Sequence, residues 1–463
     1  MIKGYLTVFL ALSLSIFTGF ILLLTFSAIR NGEKIRFECA ADTGMNAVLS
    51  EYHAELFDKY GLLYIDASYL GENPSEENVE KRLQYYMERN TDYVFERANA
   101  PWGNIRIEDV EIVSFETAAA GKGLSMQNQA VNYIEDTGIV REETQILSAI
   151  DQLAALDAMD PFGEWSGLMG QIAEMELPLI LNEQGEWEEV PLSNPADWAY
   201  GLAGSDGMYL AEASLDGLSP VSIDTGNLIS HRSIQNTAVS DRIYKQDKEK
   251  FLTYLFEKMG NYQNIPGGSI LCCQIEYLAE GKESDLENMA AVTERIFRWR
   301  FADNAQWALS DSSLYGQAQE AANALLAVQL KSEFEGPVIQ SILYACAFLE
   351  SIGDMKALYA GGRVPLRKES HQMSIARVLE GVTAVCQGNS GFNYSQYLAG
   401  MIALMDEELL NLRTMDMMEM DIRYRKGNTG FCMDWCIERY EALITAKSSL
   451  PEVMRLQRKY GYF

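Results

Sequence analysis

Histidine is nearly absent from this chain, with three in 463 residues, at positions 53, 231 and 371. A serine or cysteine nucleophile needs a neighbouring base to activate it, and no histidine here accompanies a G-x-S-x-G turn. Phosphate-binding loops are missing as well: neither G-x-x-x-x-G-K-[ST] nor G-x-G-x-x-G occurs. Cysteine is sparse and odd in number, at 39, 272, 273, 346, 386, 432 and 436, which excludes a disulfide framework. Cys346 and Cys386 sit in apolar helical contexts and read as small core residues. Cys432 and Cys436, four apart in FCMDWC, are expected on one helical face. A metal pair there would need two more soft ligands, so no metal or cofactor site is expected.

Basic residues are outnumbered, 37 Lys and Arg against 66 Asp and Glu, for a formal net charge of −29. A surface this negative repels nucleic acid backbones and anionic lipid headgroups. Nucleic acid is therefore no expected partner. Carboxylate pairs such as Glu276 with Glu280, or Asp285 with Glu287, arise by chance in so acidic a chain and identify no acid–base couple. No active site is legible, and the chain is expected not to be an enzyme.

What the sequence does contain is one long apolar run. From Gly4 to Ile29 (GYLTVFLALSLSIFTGFILLLTFSAI) no residue is charged. At about 1.5 Å per residue this crosses a hydrocarbon core of about 30 Å. The run is longer than the core of a secretory signal, and Phe26-Ser27-Ala28 is a poor cleavage site. It is read as a retained anchor in the lipid bilayer, with Gly4, Tyr5, Phe9, Leu14, Phe20, Leu24 and Ile29 as anchor residues. Val338–Leu349 is too short and too polar for a second span and reads as a buried core helix. Arg30, Lys34 and Arg36 beyond the anchor, against Lys3 before it, would favour a cytoplasmic C-terminal part, but Glu33 and Glu38 dilute them. Charge counting leaves the orientation open.

Helical spacing continues past the anchor through Ala41, Met45, Val48, Leu49, Tyr52, Leu56 and Tyr60, predicting a stalk over residues 30–60 capped at Gly61. An unbroken rod from Tyr5 to Lys59 would reach roughly 80 Å. The length of 463 residues allows two or three ordinary domains, and a 48% hydrophobic content allows a sizeable core. Residues 61–159 read as an α+β region: a short strand at 62–66, a helix opened by Pro74-Ser75, and a strand at 105–115 with a bulge near Asp109. Helices are expected at 122–136 and 142–158. Prolines 161, 178, 191, 195 and 220 make 160–240 an irregular insertion with at most a hairpin at Leu179–Val190. Regular patterning resumes at Asp241. From there to 463 the chain reads as helices around one central strand, Ser269–Glu280. The fold class is α+β and helix-dominated, with a small, mainly antiparallel sheet and a C-terminal helical region.

Two resemblances add to this reading. A strand ending in Asp66-x-Ser68 resembles the start of the divalent-metal site of von Willebrand A domains, but Leu70 stands where serine is wanted. Lys3-Gly4-Tyr5-Leu6-Thr7-Val8-Phe9-Leu10 resembles the start of the pilin-like TadE/TadG proteins of tight-adherence (Tad or Flp) pilus systems. The stretches ECAADTGMNAVLSEYHAELFDKYGLLYIDASY, YLAEGKESDLENM, LESIGDMKALYAGGRVPL, FNYSQYL and MDMMEMDIR are similar to an uncharacterised Gram-positive family associated with those systems. The resemblance implies a cell-membrane protein whose soluble domain lies outside and whose partners are pilus-assembly proteins or pilin-like subunits. Pilin-like substrates of a prepilin peptidase carry glutamate five residues after the cleaved glycine; counted from Gly4, that position is Phe9. A permanently anchored accessory protein acting by contact is expected over a filament subunit. The alternative is a membrane-tethered enzyme or ligand receptor with a carboxylate-lined cleft.

Overall fold

The computed structural model describes residues 2–71, 73–91, 105–174, 179–181, 184–189, 194–205, 213–234, 244–326, 335–382 and 388–462. Pro178, Val190, Pro191, Asp241 and Cys386, singled out above, lie outside them. Helix α1 (Ile2–Leu49) and α2 (Ala54–Tyr60) are followed by β1 (Ile65–Asp66), α3 (Glu76–Thr91) and β2 (Arg106–Thr117). Next come α4 (Ala120–Thr137), a 3₁₀ segment (Glu142–Ala149), α5 (Ile150–Asp157) and α6 (Pro161–Ala173). The hairpin β3 (Leu179–Leu181) and β4 (Trp187–Glu189) and α7 (Asp197–Ala203) lead to α8 (Lys248–Lys258) and α9 (Gln274–Glu280). Helices α10 (Asp285–Ser310), α11 (Ser312–Leu326), α12 (Glu335–Tyr359), α13 (Ile375–Glu380), α14 (Tyr394–Ala403) and α15 (Glu407–Arg423) precede the closing strands β5 (Cys436–Lys447) and β6 (Val453–Gly461). The protein is thus helix-dominated α+β with a small antiparallel sheet and a long apolar N-terminal helix.

Two compact units form: Met1–Tyr133 with Leu228–Gln246 and Thr414–Phe463, and Ile134–Asn227 with Asp247–Arg413. In the first, β5 is the central strand. β2 pairs along one edge; β1 pairs at Cys436–Ile437 and β6 at Arg439–Lys447, all antiparallel. The register of β2 slips between Ile107 and Asp109, where a change in apolar parity predicts a bulge, and twice more further on. Tyr440, Ala442, Ile444 and Ala446 of β5 alternate inward and join Val79, Leu83 and Met87 of α3 and the stalk in one core.

Several expectations are corrected here. The stretch before Lys447, read as helical, ends in β5, because ERYEALITAK contains good helix formers while its packing period is two. The strand expected at Ser269–Glu280 is instead α9. Gln274 to Ala279 are all buried, so the run carries no periodicity to separate strand from helix. Left-handed Gly281 ends it, its N–H donating to Tyr277 O. Cys432 and Cys436 share no helical face: Cys432 precedes a 3₁₀ turn (Met433–Trp435) and Cys436 opens β5. The region 160–240 contains more than a hairpin, since Asp160 accepts from Gly163 N at 3.0 Å and Pro161 occupies the first turn of α6.

In the second unit α10 and α12 are the central pair. Phe297 and Phe301 of α10 meet Phe348 and Tyr344 of α12, with Trp165 and Phe162 of α6 against them. The segment Val338–Leu349 lies within α12, whose most apolar stretch is 94% buried. It is a core helix, as its length and polar residues indicate.

Candidate functional site

Apart from half-buried Ser13 and Ile29, α1 is exposed from Tyr5 to Asn31, and its most apolar stretch has no buried part. Tyr5, Phe9, Leu14, Phe20 and Leu24 are between 54% and 76% exposed, so nothing among the described residues covers them. Gly4 lies in the first turns of the same helix. This is a helix long and apolar enough to cross a membrane.

One turn later the same helix becomes amphipathic. Glu33, Phe37, Ala40, Ala41, Gly44, Met45, Val48 and Leu49 are buried, a stripe at helical spacing that faces α3 and the sheet. Gly44 admits Met87 so closely that an added Cβ would stand 3.2 Å from its sulfur. Tyr440 donates to Met45 O at 3.1 Å and Tyr462 to Leu49 O at 2.5 Å. At the end of this stripe next to the apolar run, Ser448 and Ser449 donate through both hydroxyls and the Ser449 N–H to the buried Glu33 carboxylate.

The stalk is not one rod. It breaks after Leu49, where His53 caps α2 by accepting from Leu56 N at 3.2 Å while its own N–H donates to Tyr64 O. Leu56 and Tyr60 are buried beyond the break, but Tyr52, placed within it, is 38% exposed and packs edge-on against Phe57. Tyr52 therefore does not belong to the packing stripe. Gly61, at φ 72°, ends α2 as its position predicts.

Three polar clusters could carry chemistry. In the first unit, Glu419, Cys432 and Asp434 each place one ligand atom within 4.8 Å of the others. Two guanidiniums already hold them. Arg232 binds both oxygens of Glu419, at 2.6 and 2.8 Å, and Asp434 at 2.6 Å; Arg423 binds Glu419 at 2.8 Å and the Cys432 sulfur at 2.9 Å. Burial and the Glu419 charge push the Cys432 thiol up, away from thiolate. The arrangement pins the start of β5 to α15. Asp66, near the same strand, turns both oxygens on Ser68, to its N–H at 2.8 Å and its hydroxyl at 2.6 Å, and so closes a local turn.

The second cluster lines a cavity of about 490 Å³ in the other unit, walled by Glu350, Asp354, Arg363, Arg367, Lys368 and Glu369, among others. Arg300, with no exposed surface, donates behind it to Asp354 (3.0 Å), Asp303 (2.9 Å) and the carbonyls of Pro365 and Leu366. Lys368 pairs with Glu350 at 2.8 Å and with Asp354. Burial opposes the Asp354 charge, but Arg300 and Lys368 hold its carboxyl below the usual range. Gly391, at φ 96°, lets two chain segments touch, since a Cβ there would sit 2.2 Å from Pro365 N. The cavity floor is carboxylate-lined, yet its charges are compensated.

Glu276 is the third. Its carboxylate accepts from Tyr262 N at 2.8 Å and Tyr394 OH at 3.1 Å within the core, and burial pushes it up to about 7. Asp285, the other acid nearby, is occupied by the N–H groups of Ser219, Cys272 and Cys273. Between an ordinary carboxylate range and about 7, the native state holds a proton on Glu276 that the unfolded chain releases. Stability should therefore be full at low pH and fall as pH rises through about 7, by a few kcal/mol in all. Glu276→Gln should remove this slope; parallel stability–pH curves for the two proteins would contradict it. Of the histidines, His231 is exposed, and His371, pushed down to about 4 by burial and Lys368, stacks on Trp307 at 4.2 Å.

These observations define a helix-dominated α+β protein whose N-terminal helix is apolar, exposed and long enough to cross a membrane. The chain belongs to the family of unknown function DUF5702, whose model matches residues 185–448. No curated protein and no solved structure matches it. The matched segment includes the Glu350–Lys368 cavity and the Arg232 cluster but not the stalk. Sequence reasoning missed both clusters. Their partners are far apart in the chain, and the quoted stretches 349–366 and 415–423 each held only some members of one cluster.

Proposed function

We propose that the protein is a single-pass, non-enzymatic membrane protein of the cell surface. It acts by contact in a Tad/Flp-type pilus system, as an assembly factor or minor pilin-like component. The observation that carries this reading is α1, bare and apolar to Asn31 and then packed along one face from Glu33 to Leu49. Such a helix holds a folded body rigidly at a bilayer surface. The resemblance of Lys3–Leu10 to the pilin-like TadE/TadG start supports the pilus context and a body on the outside. Cross-linking in intact cells followed by purification of this chain should recover pilus-assembly proteins. A deletion strain with normal pili and normal adhesion would count against it.

A second reading is favoured by the cavity at Glu350, Asp354 and Lys368: a membrane-tethered receptor whose carboxylate-lined cleft takes a small polar ligand. The compensated charges there argue against acid–base catalysis and leave recognition as its chemistry.

A further inference from the structure

We propose that the end of the β5–β6 hairpin and the first turns of the stalk form a binding site for an anionic phospholipid headgroup, an inference that rests on α1 spanning the bilayer. Glu33, 1% exposed, fixes the turn at Ser448 and Ser449 against α1 just past the apolar run. Arg30 binds Glu452 at 2.6 Å on the same turn. Between helix and hairpin lies a cavity of about 560 Å³. Three cations line it, Arg30, Lys34 and Arg455, together with the apolar Phe37, Met454 and Leu456. Lys34 and Arg455 are exposed and have no described ion-pair partner.

Of the three acids that line the site, two are already held. Glu33 is held by the serines and Glu452 by Arg30, while Glu38 lies one helical turn further from the apolar run than Lys34. Ile35, beside the cavity, is 62% exposed, and Val453, in its lining, 51%. A helix that leaves the hydrocarbon near Ile29 sets this pocket at the level of the lipid phosphates. There two uncommitted cations meet a phosphate, and the apolar wall meets the glycerol and upper acyl groups. On a chain of net charge −29 such a patch offsets, locally, the repulsion between the acidic body and an anionic leaflet.

The test is calorimetric titration of the detergent-solubilised full chain with short-chain phosphatidylglycerol, short-chain phosphatidylcholine and inorganic phosphate. Phosphatidylglycerol should bind tightest, with an affinity that falls as salt rises, and Lys34→Gln with Arg455→Gln should weaken it by about tenfold or more. Equal binding of the two lipids, or no change in the double variant, would overturn the proposal. Phosphate binding as tightly as the lipid would overturn it too, leaving only a general anion site. Alkaline carbonate washing of membranes separates the two ideas. If wild type and variant both stay in the membrane while the titration is flat, the headgroup site fails alone; if wild type washes off, the anchor fails first.

Discussion

Aspartate at Met45 should unfold the stalk from its seat. Met45 is fully buried between α3 and the sheet, in contact with a core that includes Leu83, Met87 and Tyr440. An unpaired charge there, together with lost packing, costs about 4 kcal/mol. For the compact unit that holds Met45, about 200 residues, the melting temperature should fall by about 10 °C. Leu49→Asp and Leu56→Asp should act in the same direction, whereas Met45→Leu, close in volume, should cost less than about 1.5 kcal/mol. Thermal unfolding of the detergent-solubilised protein checks this. Equal melting of Met45→Asp and wild type would mean that the helix merely lies near the sheet.

The second large effect is expected at Arg300. Replacing it by methionine leaves Asp354 and Asp303 short of a cation and two carbonyls without a donor, at a position that itself has no exposed surface. Breaking one side of a buried pair costs about 3–5 kcal/mol. Adding Asp354→Asn should restore part of that loss, because the uncompensated charge is then gone. A double-mutant cycle in denaturant measures the coupling. Simple additivity of the two substitutions would show that Arg300 is held by the carbonyls and not by the carboxylate.

What could be read beforehand follows from where the signal lies in the chain. The long apolar helix was legible because 26 consecutive uncharged residues allow few other structures. The Gly61 cap, the bulge in β2 and the long helix α10 were legible because each rests on neighbours in sequence. The Ser284 cap of α10, accepting from Glu287 N, is one such local signal. α9 was misread because a run buried on every side has no period. The stalk break was not visible either, as it depends on a histidine cap and on Glu51 being held by Arg82 and Tyr86. The sheet was under-counted because its central strand arrives more than three hundred residues after β2. The candidate sites share that origin. Glu33 meets Ser448 across 415 positions, and Arg232 meets Glu419 across 187, so no local pattern announces either.

Protease shaving tests the central claim most directly, comparing intact with lysed cells and detecting fragments with an antibody to the C-terminal strands. If α1 anchors the chain with its body outside, the acidic body is digested in intact cells and the C-terminal signal is lost from them. Digestion only after lysis would place the body inside the cell and remove the basis for a surface role.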